Sequence, residues 1–227
     1  MPVRTLLRTA ITVGALAVLA GALVIDWRLT FNGFPGPRGD LSVYVRALGD
    51  AAAGGSLYDL VMPNGLGFSY PPFAAIFLAP TTWIHEPLLG QVVTAWSMAL
   101  CVGMAFLVVR ASPVRPPWRL AATGVVAALL LLTPPVQSNL IEGQVSLTIA
   151  AGLLLDASGL VPERLRGVLT GILAAVKLTP LAFIPFLWIG RRRGDAARAL
   201  AAFGTATLLA FLVRPGDSKR FWTAVLW

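Results

Sequence analysis

The sequence predicts an all-α fold, a polytopic membrane helical bundle of about seven spans plus a re-entrant or juxtamembrane helix. Three observations point there. Of 227 residues, 57% are hydrophobic and only 12% are charged, a balance unlike that of soluble domains. The apolar residues fall in long blocks, several near the length needed to cross a hydrocarbon core about 30 Å thick. The basic residues, which give a net charge of +8, sit singly or in short clusters between those blocks, the pattern of a topology signal. With no long basic face and no stacking platform, the charge does not point to nucleic acid. One histidine, His85, and one cysteine, Cys101, supply neither a His/Cys metal site nor an internal disulfide; Cys101, inside an apolar run, reads as a buried thiol. No cofactor is expected.

The N-terminal stretch MPVRTLLRTAITVGALAVLAGALVIDW has a basic front and an apolar run from Ile11 to Ile25. The run is long for a signal peptide and lacks a clear small-x-small cleavage site, so it reads as an uncleaved first span over about 9–25. Arg4 and Arg8 place the N-terminus in the cytoplasm, which delivers residues 26–84 outside as an extracytoplasmic loop with juxtamembrane helices. Up to residue 70 that loop is polar and rich in Gly, Pro, Asn and Asp. The piece YPPFAAIFLAPTTWI, residues 70–84, is interrupted by Pro71, Pro72 and Pro80, and at 1.5 Å per residue its helical part is too short to span. It is expected to dip into the outer leaflet and return. The run 88–109 then crosses inward to Arg110, Arg115 and Arg119, which a full crossing at YPPF would instead have put outside.

Residues 119–133 go out to a polar loop, PPVQSNLIEGQ (134–144), and 145–158 come back to Glu163, Arg164 and Arg166. Over 167–189 two readings stay open. Either two short helices, about 166–176 and 179–189, break at Lys177 and Pro180 near the outer face, or one kinked helix holds Lys177 at mid-depth. The first is preferred, because proline ends a helix and a lysine at mid-membrane costs about 2.5–3.5 kcal/mol. A last crossing, 197–213, leaves RPGDSKRFWTAVLW outside. Several of these segments are too short to span alone, which suggests that they surround a hydrated cavity.

This topology gathers Asp40, Tyr44, Tyr58, Tyr70, His85, Glu86, Gln137, Asn139, Glu142, Gln144 and Lys177 on the outer side, while the cytoplasmic loops hold mostly arginine. An extracytoplasmic site is therefore the default expectation. A lone carboxylate with no metal ligands and no Ser/His pair suits proton removal from an attacking hydroxyl. A phosphate leaving group needs no general acid, only a cation, and Lys177 is the cation available. A sugar carried on a lipid phosphate fits both requirements.

The stretches GDLSVY (39–44), SLYD (56–59), FSYPPFAAIFLAP (68–80), EGQVSL (142–147) and AAVKLTPLAFIPFLWIGRRR (174–193), in that order and spacing, resemble glycosyltransferase family 87, the GT-C class membrane mannosyltransferases of actinobacteria. The resemblance covers about residues 38–225, and the combination is far more specific than YPP or KLTP alone. It implies a GT-C bundle on the plasma membrane with an extracytoplasmic active site. It also implies transfer of mannose, with inversion, from polyprenyl-phosphate-mannose to a glycolipid acceptor such as a phosphatidylinositol mannoside, among membrane lipids. By the same resemblance Asp40 matches the catalytic base. Lys177, Gln144, Glu142, Tyr44, Tyr70 and His85 are the candidate substrate-binding residues. Two departures stand out: Ser146 follows GQV where the family often has Asn, and family members usually continue through further spans beyond the point corresponding to Trp227. The chain is expected to form one transmembrane module over 1–227, with three readings open: a product truncated relative to the family, a natural short form, or the common seven-helix module alone.

Each residue also has a plainer reading. Asp40 caps the helix expected over LSVYVRALGDAAAG; Lys177 snorkels to headgroups; Tyr44 and Tyr70 are interfacial aromatics; His85 is structural; Glu142 and Gln144 satisfy loop backbone. Asp26 is a rival base or an interfacial anchor beside Trp27 and Arg28, Asp50 and Asp59 are solvated loop acids, and the triplet 191–193 is a topology signal. The rival function is a transporter or lipid-binding scaffold, against which stands the near absence of acids inside the expected spans.

Overall fold

The computed structural model describes residues 3–32 and 39–226, and the regular elements among them are helical apart from one isolated antiparallel bridge between Val61 and Gly67. Three helices are long and apolar enough to cross a membrane: α1 (Val3–Asn32), α4 (Glu86–Ala111) and α10 (Arg193–Val213). A fourth crossing is available if α5 (Arg119–Leu131) and α6 (Pro134–Glu142), bent by 68°, count as one broken span. The other apolar helices are short, as the sequence led us to expect, and length alone does not carry the count from four to seven.

Two compact units make up the chain, one from Met1–Arg38 with Gly90–Ser158, the other from Gly39–Leu89 with Gly159–Trp227. In the first, α1 packs along α5 and α6, and α7 (Ser146–Ala157) follows. Its core holds Ala22, Met98, Cys101, Ala128, Leu131, Val136, Leu140 and Leu147. Small residues set the spacing: a Cβ on Gly124 would lie 3.2 Å from the Ala15 carbonyl. Cys101 is buried, as expected.

Three expectations change here. The first helix runs on to Asn32 where the span was expected to end near Ile25, and residues 33–38 of the expected loop lie outside the described residues. Residues 134–142, expected as loop, are the helix α6. Its two prolines occupy the first turn, where no N–H partner is needed, and Gly143 closes it in the left-handed conformation at φ 68°. Asp26 is not an interfacial anchor but is 1% exposed, its Oδ1 accepting a bond from Gln137 Nε2 at 3.1 Å. The near absence of acids inside the spans therefore has an exception.

In the second unit, α2 (Gly39–Ala52) buries the face Leu41, Tyr44, Ala47, Leu48 and Ala51, a helical period. The piece expected to be re-entrant is α3 (Phe73–Leu78) with a 3₁₀ turn over Ala79–Trp83, too short to span alone. The preferred reading of 167–189 holds: α8 (Val168–Val176) stops, a 3₁₀ turn covers Thr179–Ala182, and α9 (Phe183–Ile189) follows. Pro180 leaves the Val176 carbonyl without a helical donor, and Lys177 turns extended at φ −146° and ψ 130°. Alpha9 folds back on α10 through Ile184, Ala196 and Ala199. The arginine triplet fastens this turn as well: Arg192 Nε meets Asp195 Oδ2 at 2.5 Å, Arg198 pairs with the other Asp195 oxygen, and Arg193 lies over the Trp188 ring. The described residues close with α11 (Pro215–Arg220) and a π-helical turn over Phe221–Val225.

Helices α8 and α10 touch backbone to backbone. A Cβ on Gly171 would lie 2.1 Å from the Ala199 carbonyl oxygen and 2.8 Å from Ala202 Cβ. Intrinsic propensity favours alanine over glycine in a helix by about 1 kcal/mol, yet a backbone collision costs about 1–3 kcal/mol or more. Gly171→Ala is therefore expected to lower the melting temperature in detergent, whereas Gly103→Ala, with nothing within 4 Å of the added carbon, leaves it equal or higher. Equal melting of Gly171→Ala and the unaltered chain would refute the close approach.

Candidate functional site

Within the second unit three of the expected site residues converge. The Tyr44 hydroxyl donates to the Tyr70 hydroxyl at 2.9 Å, and Lys177 Nζ donates to the same oxygen at 3.4 Å. The ammonium also lies 5.2 Å from the Tyr70 ring centroid, a cation–π distance, and the two tyrosine rings meet edge to face at 5.3 Å. Each group arrives by a different local device. Tyr44 stands on the buried face of α2, Tyr70 sits at a bend just before Pro71 and Pro72, and Lys177 is turned out where α8 breaks.

Asp40 lies in the first turn of α2, four residues before Tyr44, so the two side chains share one face of the helix. It is partly exposed and sits inside the turn rather than before it, where exposed N–H groups favour a carboxylate. His85 is exposed and gives its backbone carbonyl to Leu89 N at 3.0 Å; among the described residues no hydrogen bond or ring contact joins it to the tyrosines. Glu142 and Gln144 belong to the first unit, where Glu142 ends α6 and Gln144 N closes the turn on the Asn139 carbonyl at 3.1 Å.

Beside the cluster is a cavity of about 300 Å³, lined by Ser69, Tyr70, Pro71, Lys177, Leu178, Thr179, Phe221, Val225 and Leu226. It offers one ammonium, one phenol and two small hydroxyls, those of Ser69 and Thr179, against an apolar wall. Tyr70 oxygen accepts from both Tyr44 and Lys177, so its own proton is available for a further acceptor. The arrangement suits an anionic group carrying an apolar tail.

A second cluster fastens the segment after α10 to the loop after α2. Asp217, 6% exposed, accepts from Ser56 Oγ at 2.6 Å, Leu57 N at 3.3 Å and Arg214 Nε at 2.5 Å. Arg214 further donates to the carbonyls of Ala51 at 3.0 Å and Gly55 at 2.8 Å. Arg220 pairs with Asp59 and donates to the Tyr58 carbonyl at 3.2 Å. Asp59, expected as a solvated acid, is thus exposed but paired, and its bond from Arg220 holds its carboxyl below the usual range. Burial, then the nearby Asp217 charge, push the Tyr58 phenol well above its ordinary value, so it stays protonated. The spacing of Arg214, Asp217 and Arg220 at i, i+3 and i+6 was the one signal available.

Comparison with known proteins agrees with this picture. The description of glycosyltransferase family 87 matches residues 68–227. A polyprenol-phosphate-mannose-dependent alpha-(1-2)-phosphatidylinositol mannoside mannosyltransferase of Mycobacterium tuberculosis is 30% identical, over 92% of this chain and 53% of the relative. Its counterpart from Mycolicibacterium smegmatis is 32% identical over 92% of this chain and 51% of its own length. A polyprenol-phosphate-mannose-dependent alpha-(1-2)-phosphatidylinositol pentamannoside mannosyltransferase of Mycolicibacterium smegmatis is 32% identical over 82% of this chain and 46% of its own. No solved structure matches. The chain spans about half the length of the curated relatives it matches. With a matched region covering most of its length and relatives of this identity, the chain is a helical membrane protein that belongs to glycosyltransferase family 87.

Proposed function

We propose that this chain carries the mannosyl-transfer chemistry of a polyprenyl-phosphate-mannose-dependent transferase acting on a phosphatidylinositol mannoside or related glycolipid. The site faces the outside of the plasma membrane, and the N-terminus lies in the cytoplasm. The observation that carries the reading is the convergence of Lys177, Tyr70 and Tyr44 on one oxygen beside a cavity, with Asp40 one helical turn from Tyr44. Family membership and the names of the relatives supply the donor and acceptor classes.

Lys177 and the free Tyr70 proton hold the donor phosphate, and the apolar wall of Leu178, Val225 and Leu226 receives the start of its tail. Asp40 takes the proton of the attacking acceptor hydroxyl. The new bond forms between that oxygen and the anomeric carbon as the bond from the anomeric carbon to the phosphate oxygen breaks. The electron pair leaves with polyprenyl phosphate, neutralised by the ammonium. Attack opposite the leaving group inverts the centre in one displacement, with one base and no sugar–enzyme bond.

Asp40→Asn is expected to insert into membranes normally and lose at least a hundredfold in transfer from labelled polyprenyl-phosphate-mannose to glycolipid, the usual scale for a general base. Full activity in that variant would remove the mechanism. Lys177→Ala is expected to raise KM for the donor about tenfold with a smaller change in KM for the acceptor, as loss of a charge-assisted contact predicts; an unchanged donor KM would sink the phosphate role.

Asp26, buried in a long apolar helix, is the observation that favours an ion-coupled carrier. Its carboxyl is engaged by Gln137 inside the first unit, so a structural role accounts for it. Asp26→Asn, which keeps an acceptor for Gln137, is expected to retain full transfer and equal or greater thermal stability; ion-dependent lipid movement in the parent chain that this variant abolished would decide for the carrier.

A further inference from the structure

We infer that Tyr58 is a positioning residue for the donor phosphate, acting through Tyr70, and that the segment 214–221 is the latch that holds Tyr58 in place. The inference rests on the assignment of Lys177 and Tyr70 to that phosphate. The contacts run without a gap through the second unit. Pro71 and Pro72 donate no N–H, and the first helical bonds of α3 run from Ala74 N to the Pro71 carbonyl and from Ala75 N to the Pro72 carbonyl. The Tyr70 carbonyl therefore falls one residue short of the helix ladder. The Tyr58 hydroxyl supplies its donor at 2.8 Å.

Tyr58 is held from three sides. Its ring stacks on Phe221 at 6.0 Å with 28° between planes, its N–H donates to Ser56 Oγ at 3.3 Å, and its carbonyl accepts from Arg220. Ser56 in turn donates to the buried Asp217 carboxylate. Phe221, the far end of this latch, is also part of the wall of the cavity that Lys177 lines. The ammonium rides on a flexible four-carbon stem, so its affinity for phosphate depends on how firmly the Tyr70 phenol is placed. Tyr58 places it from the backbone side without touching the ligand.

The test measures equilibrium binding of a short-chain polyprenyl phosphate and of the uncharged polyprenol to the purified full chain in detergent. Tyr58→Phe keeps the ring and its stacking and removes only the hydroxyl. It is expected to weaken phosphate binding about fivefold, the scale of one neutral hydrogen bond, and to leave polyprenol binding unchanged. Asp59→Asn, at an exposed pair on the rim, is expected to bind both as the parent does. Lys177→Ala is expected to erase the preference for phosphate. A purely structural defect would weaken both ligands together. If Lys177→Ala erases the preference but Tyr58→Phe binds phosphate as tightly as the parent, or loses both ligands in parallel, the positioning role is overturned and the phosphate site stands. If the parent chain shows no preference for phosphate over alcohol, or Lys177→Ala keeps it, the site assignment falls and this inference falls with it.

Discussion

The proline at position 180 is the constraint from which the candidate site follows. In an apolar chain every backbone carbonyl wants an internal donor, since lipid offers none. Pro180 has no N–H to give the Val176 carbonyl, so α8 ends there and the next residue leaves the helix. That residue is Lys177. A lysine carried on through an unbroken helix would have to be buried or to snorkel along the helix surface; here the extended backbone swings it toward Tyr70 instead. The same break shortens the segment to two pieces, too brief to span separately, and leaves room beside Leu178 and Thr179 for the cavity. A charged group in apolar surroundings is thus placed by the chemistry of its neighbour in sequence.

A second constraint acts on the opposite wall. Asp217 is nearly buried, and a lone carboxylate there would be costly to desolvate. It is accommodated because Arg214, Ser56 and the Leu57 amide all donate to it. The consequence is mechanical: residues about 160 positions apart in sequence become one piece. The loop after α2 would otherwise be free, having left the helix at Ala52 with glycines at 54 and 55. Breaking such a pair from one side leaves a buried charge behind and costs about 3–5 kcal/mol, so the latch is strongly held even though each of its surface partners is weak. The outer pair between Arg220 and Asp59 is of that weak kind, its acid more than half exposed.

How much of this was readable beforehand depends on the range of each interaction. The break at Lys177 and Pro180 was legible because proline acts on its own backbone within four residues. The helix over LSVYVRALGDAAAG and the short piece at 73–83 were legible for the same reason, since propensity and length are local. Helix α6 was misread as a loop because two prolines and a glycine mark turns and helix ends alike; only its neighbours in space decide which. Asp26 was misread because Trp27 and Arg28 beside it suggest an interface, while its true partner, Gln137, is 111 residues away. The Asp217 latch stayed hidden for the same cause. Charges on a polar tail carry no local mark of the loop they bind.

The hydroxyl of Tyr70 shows what the convergence accomplishes that its parts do not. A phenol has one proton and two lone pairs. An ammonium has only protons to give, so Lys177 must be a donor to Tyr70, and with Tyr44 donating as well both lone pairs are taken. The phenol proton is then left for an acceptor outside the trio. Two donations into one oxygen also polarise it, which makes its remaining proton a better donor than that of an isolated tyrosine. Lys177 brings positive charge to the cavity, and Tyr70 turns part of that charge into a directed bond. An anion there meets a charge and a hydrogen-bond donor from one small cluster.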